Sequence, residues 1–301
     1  MCGIGDGERI GSRQGELGAR WRRSDGEASS RAAWRHAGSA STTIAGDPSG
    51  SDITVAVGKT VDIKGVTISG GGAAPPNPGG GVTNNGTLTL QTVVVTNNVS
   101  EFGAIVNSAG ATLTIDESSI SDNEAAGIQN SGSLSLHDST ISGNTQSPFS
   151  GGGGLSNSGA ATLDDTTVTG NTAVAQGGGG IANYGLADGG DGVLTLNDST
   201  VSDNIANVNC SPCFSQDDGG GIYNVGGGVA TVNSSTVSGN SANNDGGGVF
   251  NDSTSSIALN DSLVTTNSTA SDGGGIYNDG GSATLASTTV SANTPDDTVG
   301  I

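Results

Sequence analysis

Two cysteines stand close together in the longest segment between the repeated motifs of this chain. Cys210 and Cys213 form the sequence Cys-Ser-Pro-Cys, and Cys2 is the third cysteine. A zinc site would require two further Cys or His ligands nearby, and the neighbouring sequence supplies neither. A local disulfide between Cys210 and Cys213 is therefore favoured, and such disulfides are typical of extracellular proteins. Redox or nucleophilic use of the pair stays an alternative, although no βαβ pattern supports it.

Four aspartates lie beside glycines in two segments, and turns of this kind are rich in oxygen ligands. Asp188 and Asp191 belong to the sequence Asp-Gly-Gly-Asp-Gly, whereas Asp217 and Asp218 precede three glycines. Carboxylates combined with main-chain carbonyls are the ligands that Ca²⁺ prefers. Asp is also common beside Gly in ordinary turns. Turn chemistry is the favoured explanation, and a Ca²⁺ site is the alternative.

The charge of the chain is distributed unevenly, and this distribution excludes one class of protein. The 301 residues carry 29 acidic and nine basic side chains, which gives a formal net charge of −20. Every Lys and Arg lies before residue 65, so residues 66–301 combine 21 acidic side chains with no Lys or Arg. Nucleic-acid binding requires cations that displace phosphate counterions, so we expect no nucleic-acid partner. The sequence also contains no apolar run long enough for a membrane-spanning helix.

Internal repeats organise the chain from residue 79 onward. A Gly-rich segment followed by an apolar residue, a variable residue and Asn occurs eight times. The asparagines of this motif are Asn84, Asn107, Asn130, Asn157, Asn183, Asn224, Asn251 and Asn278. A second motif resembling Leu-Thr-Leu-x-x-Ser-Thr-Val-Ser-Gly-Asn follows each copy of the first. Its closing asparagines are Asn98, Asn123, Asn144, Asn171, Asn204, Asn240, Asn267 and Asn293.

Apolar residues alternate with Ser, Thr and Asp within each copy, which is the two-residue period of a β-strand. The third residue before each closing Asn is Val or Ile, as at Val168, Val201 and Val237. Short strands repeated every 21 to 36 residues and joined by Gly and Asn turns predict a parallel β-helix. We expect an all-β solenoid of about nine coils, each coil being one circuit of the chain, with like side chains stacked from coil to coil.

The asparagines of the first motif are expected inside this solenoid. The apolar-x-Asn spacing places the Asn on the same side of the strand as the inward apolar residue. Asparagines one coil apart would then hydrogen-bond along the axis as an amide ladder. The predicted members of this ladder are Asn107, Asn130, Asn157, Asn183, Asn224, Asn251 and Asn278.

The variable residue of the first motif is aromatic in three consecutive copies. These residues are Tyr223, Phe250 and Tyr277, and Tyr184 follows directly after Asn183. A residue between two inward positions of a strand points outward, so we expect an exposed aromatic stack. Such a stack is suited to bind sugar rings or a protein partner. The alternative is that the rings only shield the glycine turns.

The pairing of the two motifs, as in residues 219–224 and 237–240, resembles that of right-handed parallel β-helix repeat proteins of bacterial surfaces. The fold resembles the pectin-lyase-like superfold, and the repeats are similar to those of bacterial polymorphic outer-membrane proteins. The resemblance extends from about residue 53 to residue 293. It implies a right-handed coil and a secreted or surface-displayed protein of adhesin type. The implied partner is a carbohydrate or a surface protein of a host or neighbouring cell.

Polysaccharide lyases and glycosidases also use this superfold, so a carbohydrate-active enzyme or its remnant is the alternative function. A pectate-type lyase needs Arg or Lys at the acidic sugar, and neither occurs after Lys64. Glycoside hydrolysis needs two carboxyls about 5–9.5 Å apart, whereas neighbours such as Asp164 and Asp165 point to opposite faces of a strand. His137 is favoured as a solvated surface residue. We therefore expect no catalytic residues.

The second motif places Ser and Thr on the outside of its strands. This outward array of hydroxyls leaves ice binding as a third interpretation.

The first 45 residues do not share the repeat, and they lack the apolar segment of a secretory signal peptide. We expect a disordered or wrongly assigned leader over residues 1–45 and a β-helix over residues 46–301. No capping segment is evident after Asn293, so a shortened C-terminus or an end covered by another chain is also expected. The expected location is extracellular or at the cell surface.

Overall fold

The structure is a computed structural model that describes residues 3–4, 31–34, 42–46, 50–72, 79–146, 151–174, 176–185, 192–207 and 217–301. Within these ranges every regular element is a β-strand, and the strands, numbered in chain order, form four sheets. Among the described residues, none forms a helix with the length and apolarity of a membrane span.

The first sheet contains β1 (Gly3–Ile4), β4 (Ile53–Val55), β7 (Gly79–Asn84), β10 (Val99–Asn107), β13 (Glu124–Asn130), β17 (Leu155–Asn157), β21 (Ile181–Tyr184), β25 (Ile222–Val225), β29 (Val249–Asn251), β33 (Ile276–Asn278) and β36 (Thr298–Val299). The second sheet contains β2 (Arg31–Trp34), β5 (Thr60–Lys64), β8 (Thr87–Gln91), β11 (Thr112–Asp116), β14 (Ser133–His137), β18 (Ala160–Asp164), β22 (Val193–Asn197), β26 (Val229–Asn233), β30 (Ser256–Asn260) and β34 (Ser282–Ala286).

The third sheet contains β3 (Thr42–Ala45), β6 (Val66–Ser69), β9 (Val94–Thr96), β12 (Ser119–Ser121), β15 (Thr140–Ser142), β19 (Thr167–Thr169), β23 (Thr200–Ser202), β27 (Thr236–Ser238), β31 (Leu263–Thr265) and β35 (Thr289–Ser291). The fourth sheet contains the two-residue strands β16 (Thr145–Gln146), β20 (Thr172–Ala173), β24 (Ile205–Ala206), β28 (Ser241–Ala242) and β32 (Ser268–Thr269).

Each strand pairs in parallel with the equivalent strand of the next coil rather than with its neighbour in sequence. This topology confirms the predicted all-β parallel β-helix, and connections between parallel strands of one sheet are right-handed in nearly all proteins. The second and third sheets hold ten strands each, against the expected nine or so coils. Strands β2 and β3 pair with β5 and β6 although they lie within residues 31–45. The division of the chain at residue 45 stays a prediction.

The interior of the solenoid is filled by aliphatic side chains stacked in register, as predicted. Val168 is aligned with Val201, and Val201 with Val237. All three are at most 1% exposed. The alternate residues of the same strands are only half-buried, so the two-residue period of the sequence becomes an inside and an outside of the coil. Burying each such side chain contributes about 1.5–3 kcal/mol.

Two columns of asparagine amides run along the interior beside these aliphatic columns. The asparagines of the first motif join Nδ2 to Oδ1 of the next coil at 2.7–2.8 Å, from Asn84 through Asn107, Asn130, Asn157, Asn183, Asn224 and Asn251 to Asn278. The closing asparagines of the second motif form an equivalent column from Asn98 to Asn293. Asn278 and Asn293 end these columns by donating to the main-chain oxygen of Gly300 and to Oδ1 of Asp297.

Glycine is required where adjacent coils approach closely. A Cβ on Gly180 would lie 2.7 Å from the main-chain oxygen of Gly221 and 2.9 Å from Nδ2 of Asn204. Larger residues are therefore excluded from the Gly-rich approach to the first sheet. The corners between the second and third sheets instead use residues at positive φ, such as Asp165 (φ 49°) and Asp198 (φ 48°). Asp tolerates this left-handed conformation better than most residues.

Candidate functional site

The aromatic residues of the first motif form one row across the first sheet. Register places Tyr223 beside Phe250 and Phe250 beside Tyr277, and Ala182 occupies the equivalent position one coil earlier. Tyr184 lies two residues after Ala182, and its ring meets the ring of Tyr223 edge-on, with centroids 6.2 Å apart and planes at 77°. The aromatic row is defined here as Tyr184, Tyr223, Phe250 and Tyr277.

Of the two remaining ring pairs of the aromatic row, one is tilted and one is stacked. The centroids of Tyr223 and Phe250 are 5.4 Å apart with planes at 31°. Those of Phe250 and Tyr277 are 5.7 Å apart with planes at 7°. Offset stacks and edge-to-face contacts at these separations stabilise aromatic pairs by about 0.5–1.5 kcal/mol beyond the area that they bury. The parallel register of the strands therefore builds a rigid aromatic surface.

The prediction that this row is an exposed stack is wrong for its two middle rings. Tyr223 is only 5% exposed and Phe250 7%, and they form a second apolar cluster outside the main core with Ala182. Tyr184 and Tyr277 are half-buried at the ends of the row. Tyr223 lies against the glycine segment of the previous coil, since a Cβ on Gly177 would be 2.6 Å from its Cδ2 atom. Tyr223 thus covers a glycine segment, and ligand binding by the row stays a prediction.

Three rings of the aromatic row, those of Tyr184, Tyr223 and Phe250, also form one wall of a cleft of about 490 Å³. Its lining residues are Gln176, Tyr184, Tyr223, Val225, Gly226, Phe250, Asp252, Ser253 and Asp279. We call this feature the aromatic cleft. Ring faces and carboxylates thus share one concave surface, which is the composition of a site for a small polar ligand with apolar faces.

Asp252 is fixed at the edge of the aromatic cleft by the turn that follows Asn251. Its Oδ2 accepts a hydrogen bond from Gly226 N at 2.8 Å, and its Oδ1 accepts one from Thr254 N at 3.1 Å. Partial burial by itself raises the pKa of this carboxyl, but the donated hydrogen bonds outweigh burial, so the pKa lies below its ordinary value. Asp252 is therefore an ionised hydrogen-bond acceptor at neutral pH.

A second carboxylate, Asp218, lies behind the aromatic row. It is buried, and its Oδ1 accepts hydrogen bonds from Asn244 Nδ2 at 2.7 Å and from Asp245 N at 3.0 Å. Burial raises the pKa of Asp218, and burial together with the Asp218 charge raises the pKa of Tyr223. The carboxylates that line the cleft are those of Asp252 and Asp279, and their charge favours neutral or cationic ligands over acidic ones.

Of the four aspartates predicted as Ca²⁺ ligands, only two fall on described residues. Asp217 and Asp218 are both buried, and the hydrogen bonds of Asp218 explain its position without an ion. Asp188 and Asp191 lie outside the described residues, as do Cys210 and Cys213 of the predicted disulfide. The Ca²⁺ site and the disulfide stay predictions.

The adjacent aspartates considered for catalysis take part in structural contacts. Asp164 accepts a hydrogen bond from Asn197 Nδ2 at 2.7 Å, whereas Asp165 is exposed at the corner of the coil. Asp296 accepts one from Gly273 N at 2.8 Å, and Asp297 ends the second asparagine column. His137 is exposed, as predicted, and lies among Asp116, Asp138 and Asp165.

The sequence analysis missed the acidic side of the aromatic cleft. Asp252 and Asp279 each follow the motif asparagine directly, in the repeated pairs Asn251-Asp252 and Asn278-Asp279. Since the asparagines stack in register, the residues that follow them lie at the same edge of the first sheet. The sequence signal that could have revealed these carboxylates is an aspartate that directly follows the stacked motif asparagine in two consecutive copies.

Fold and repeat together define a parallel β-helix repeat protein. No family model and no curated protein sequence matches the chain. Among solved structures, the pectate lyase Pel9A is similar, with 13% sequence identity and a TM-score of 0.48. The alignment covers 89% of this chain and 68% of that protein. The likeness is one of fold.

Proposed function

We propose that this chain is a non-catalytic, secreted or surface-displayed solenoid of adhesin type that binds neutral glycans at the aromatic cleft. The observation that carries the proposal is the cleft itself, where three contacting rings of the aromatic row meet the ionised carboxylate of Asp252. The solenoid holds these groups on adjacent coils, so the binding surface is rigid before the ligand arrives.

The chemistry of the cleft matches that of a sugar. The apolar face of a pyranose ring packs on an aromatic ring, and sugar hydroxyls donate hydrogen bonds to carboxylates. In the cleft, Tyr184 presents a partly exposed ring, and Asp252 and Asp279 present carboxylate oxygens. Tyr277, stacked on Phe250, extends the aromatic row beyond the cleft with a second partly exposed ring. Uronic acids would be repelled, since residues 66–301 contain 21 acidic side chains and no Lys or Arg.

The pKa of Asp252 supports a non-catalytic role. An inverting or retaining glycosidase requires one carboxylic acid with a raised pKa to protonate the leaving oxygen. The hydrogen bonds to Asp252 lower its pKa, which is the opposite of that requirement. A polysaccharide-active enzyme is nevertheless the second candidate, and the observation that favours it is the presence of two carboxylates, Asp252 and Asp279, in one cleft.

Glycan binding is tested with immobilised neutral and acidic oligosaccharides against the wild-type chain, Tyr277→Ala and Tyr184→Ala. We expect binding to neutral glycans, and each variant should weaken it about five- to thirtyfold, as expected for the loss of about 1–2 kcal/mol of ring contact. Phe102→Ala is the matched control, because Phe102 is an exposed aromatic residue outside both the aromatic row and the cleft. Equal binding by the wild type and both tyrosine variants would remove the cleft from the proposal.

The enzyme alternative is tested by incubating the chain with neutral and acidic polysaccharides. New reducing ends would indicate hydrolysis, and unsaturated products would indicate elimination. Activity that is lost in Asp252→Asn and Asp279→Asn, but retained in Asp261→Asn at an exposed position elsewhere, would replace the non-catalytic proposal with the enzymatic one.

A further inference from the structure

We propose that His137, Asp138 and Asp165 form a surface site for a borderline divalent cation such as Zn²⁺. The site stands apart from the aromatic cleft and does not depend on its function. One ligand atom from each of the three side chains lies within 4.8 Å of the other two. This set combines an imidazole nitrogen with two carboxylate oxygens, which are common zinc ligands in proteins.

The coil geometry brings these residues together from two coils. His137 is the last residue of β14, and Asp138 follows it at the corner with φ 47°. Asp165 occupies the equivalent corner of the next coil with φ 49°, because β14 and β18 pair in register up to His137 and Asp164. The two corner carboxylates therefore lie on the same side of the solenoid, flanking the imidazole.

The two carboxylates contact different nitrogens of the imidazole: His137 Nδ1 lies 3.2 Å from Oδ2 of Asp138, and His137 Nε2 lies 3.9 Å from Oδ2 of Asp165. An imidazole binds an ion through one nitrogen, so one carboxylate must turn toward the nitrogen that the other carboxylate faces. Two ligand atoms of a tetrahedral zinc site are about 3.3 Å apart, given zinc–ligand distances of about 2.0–2.1 Å. The side chains of His137, Asp138 and Asp165 are 53%, 55% and 57% exposed, so they can adjust and water can complete the coordination.

The surface around these carboxylates is acidic, so it attracts cations from solution. Asp116 lies on the preceding coil, with Oδ1 3.4 Å from His137 Nδ1. Residues 66–301 contain no Lys or Arg, and His137 is their only histidine. No Lys or Arg side chain of residues 66–301 therefore competes with a metal ion for these carboxylates. Like charges on adjacent coils repel one another, and a bound cation relieves that repulsion.

The donor set selects the kind of cation. Ca²⁺ and Mg²⁺ take oxygen ligands almost entirely, whereas an imidazole suits Zn²⁺, Cu²⁺ and Ni²⁺. His137 therefore distinguishes this site from a purely acidic surface that gathers counterions. Zn²⁺ should bind here with one ion per chain, and excess Ca²⁺ should compete weakly.

The site is tested by calorimetric titration of the full chain with ZnCl₂ after alkylation of the cysteines, which removes thiol ligands. We expect one site per chain in the wild type and at least a tenfold loss of affinity in His137→Ala and in Asp165→Asn. His36→Ala is the matched control, because it removes the other histidine of the chain and should leave the titration unchanged. Circular dichroism checks that each variant is folded.

Two results would overturn the site. Equal zinc affinity of folded His137→Ala and wild type would mean that the ion is held elsewhere or only as a diffuse counterion. Equal affinity of the wild type for Zn²⁺ and Ca²⁺ would exclude imidazole coordination. A second readout is the melting temperature, which Zn²⁺ should raise in the wild type and in His36→Ala but not in His137→Ala.

Discussion

Asn157 donates a hydrogen bond from Nδ2 to Oδ1 of Asn183 at 2.8 Å, although 26 residues separate the two in sequence. The same Nδ2 also donates to the main-chain oxygens of Gly159 and Val193 at 3.0 and 3.1 Å. Oδ1 of Asn157 accepts a hydrogen bond from Asn130 at 2.7 Å. A fully buried amide thus satisfies its donors and its acceptor within the coil stack, and it fixes the register of three coils.

Asn157→Asp should destabilise the fold by about 2–4 kcal/mol. The oxygen that replaces Nδ2 lies against three acceptors, and a buried oxygen that meets no donor carries its full desolvation cost. Asn233→Asp is the matched control, since Asn233 belongs to a half-buried amide row on the outside and donates to Asn197 Oδ1 at 2.8 Å. Its cost should stay below about 1 kcal/mol because water replaces the lost contact. Urea denaturation of both variants measures the difference, and equal costs would contradict it.

Leu196→Ala should cost about 2–5 kcal/mol of unfolding free energy. Leu196 is fully buried and is aligned with Leu163 and Val232 on the neighbouring coils, so truncation leaves a cavity. Thr195→Ala is the control on the same strand, because Thr195 is half-buried on the outer face and should change stability by less than about 0.5 kcal/mol. Thermal and urea unfolding compare the two, and similar losses would contradict the inside–outside assignment.

The stacking of the coils could be predicted because the same residue pattern recurs in every copy of the repeat. The position of Val168, Val201 and Val237 relative to their closing asparagines recurs in every copy, and a two-residue period has a single inward face. The alternation fails one step later. Strict alternation from Val168 onward would place the side chain of Asn171 outside. Asn171 is instead fully buried, because Gly170, at φ 63°, reverses the chain between Val168 and Asn171. Sequence spacing does not reveal where a left-handed residue resets the alternation.

The burial of the aromatic row depended on packing that the strand pattern does not contain. Alternation placed Tyr223 and Phe250 on the outer side of their strands, and the structure agrees on the side. Their burial arises from the neighbouring rings and from Gly177 on another coil. The shape of the cleft likewise depends on the turn that fixes Asp252. Such contacts between coils are fixed only once the coils are stacked.

Asp52 makes the stability of the N-terminal coils depend on pH. Its carboxyl is buried beside Gly46 and Gly71, and neither oxygen has a hydrogen-bond partner among the described residues. Burial raises the pKa of Asp52 from 3.8 to about 7. The folded chain therefore holds this proton more tightly than the unfolded chain. The resulting stabilisation is complete below about pH 4 and is lost as the pH rises through about 7.

Asp52→Asn should remove this dependence, because the amide stays neutral at every pH. The unfolding free energies of the wild type and the variant should differ least near pH 4. From there up to about pH 7 the wild type should lose stability relative to the variant, by at most about 1.4 kcal/mol per pH unit. Urea denaturation at pH 4, 5.5, 7 and 8 measures the difference. Asp261→Asn, at an exposed carboxylate, should show no comparable trend. A constant difference between wild type and Asp52→Asn across this range would show that Asp52 is ionised throughout, with a partner that compensates its burial.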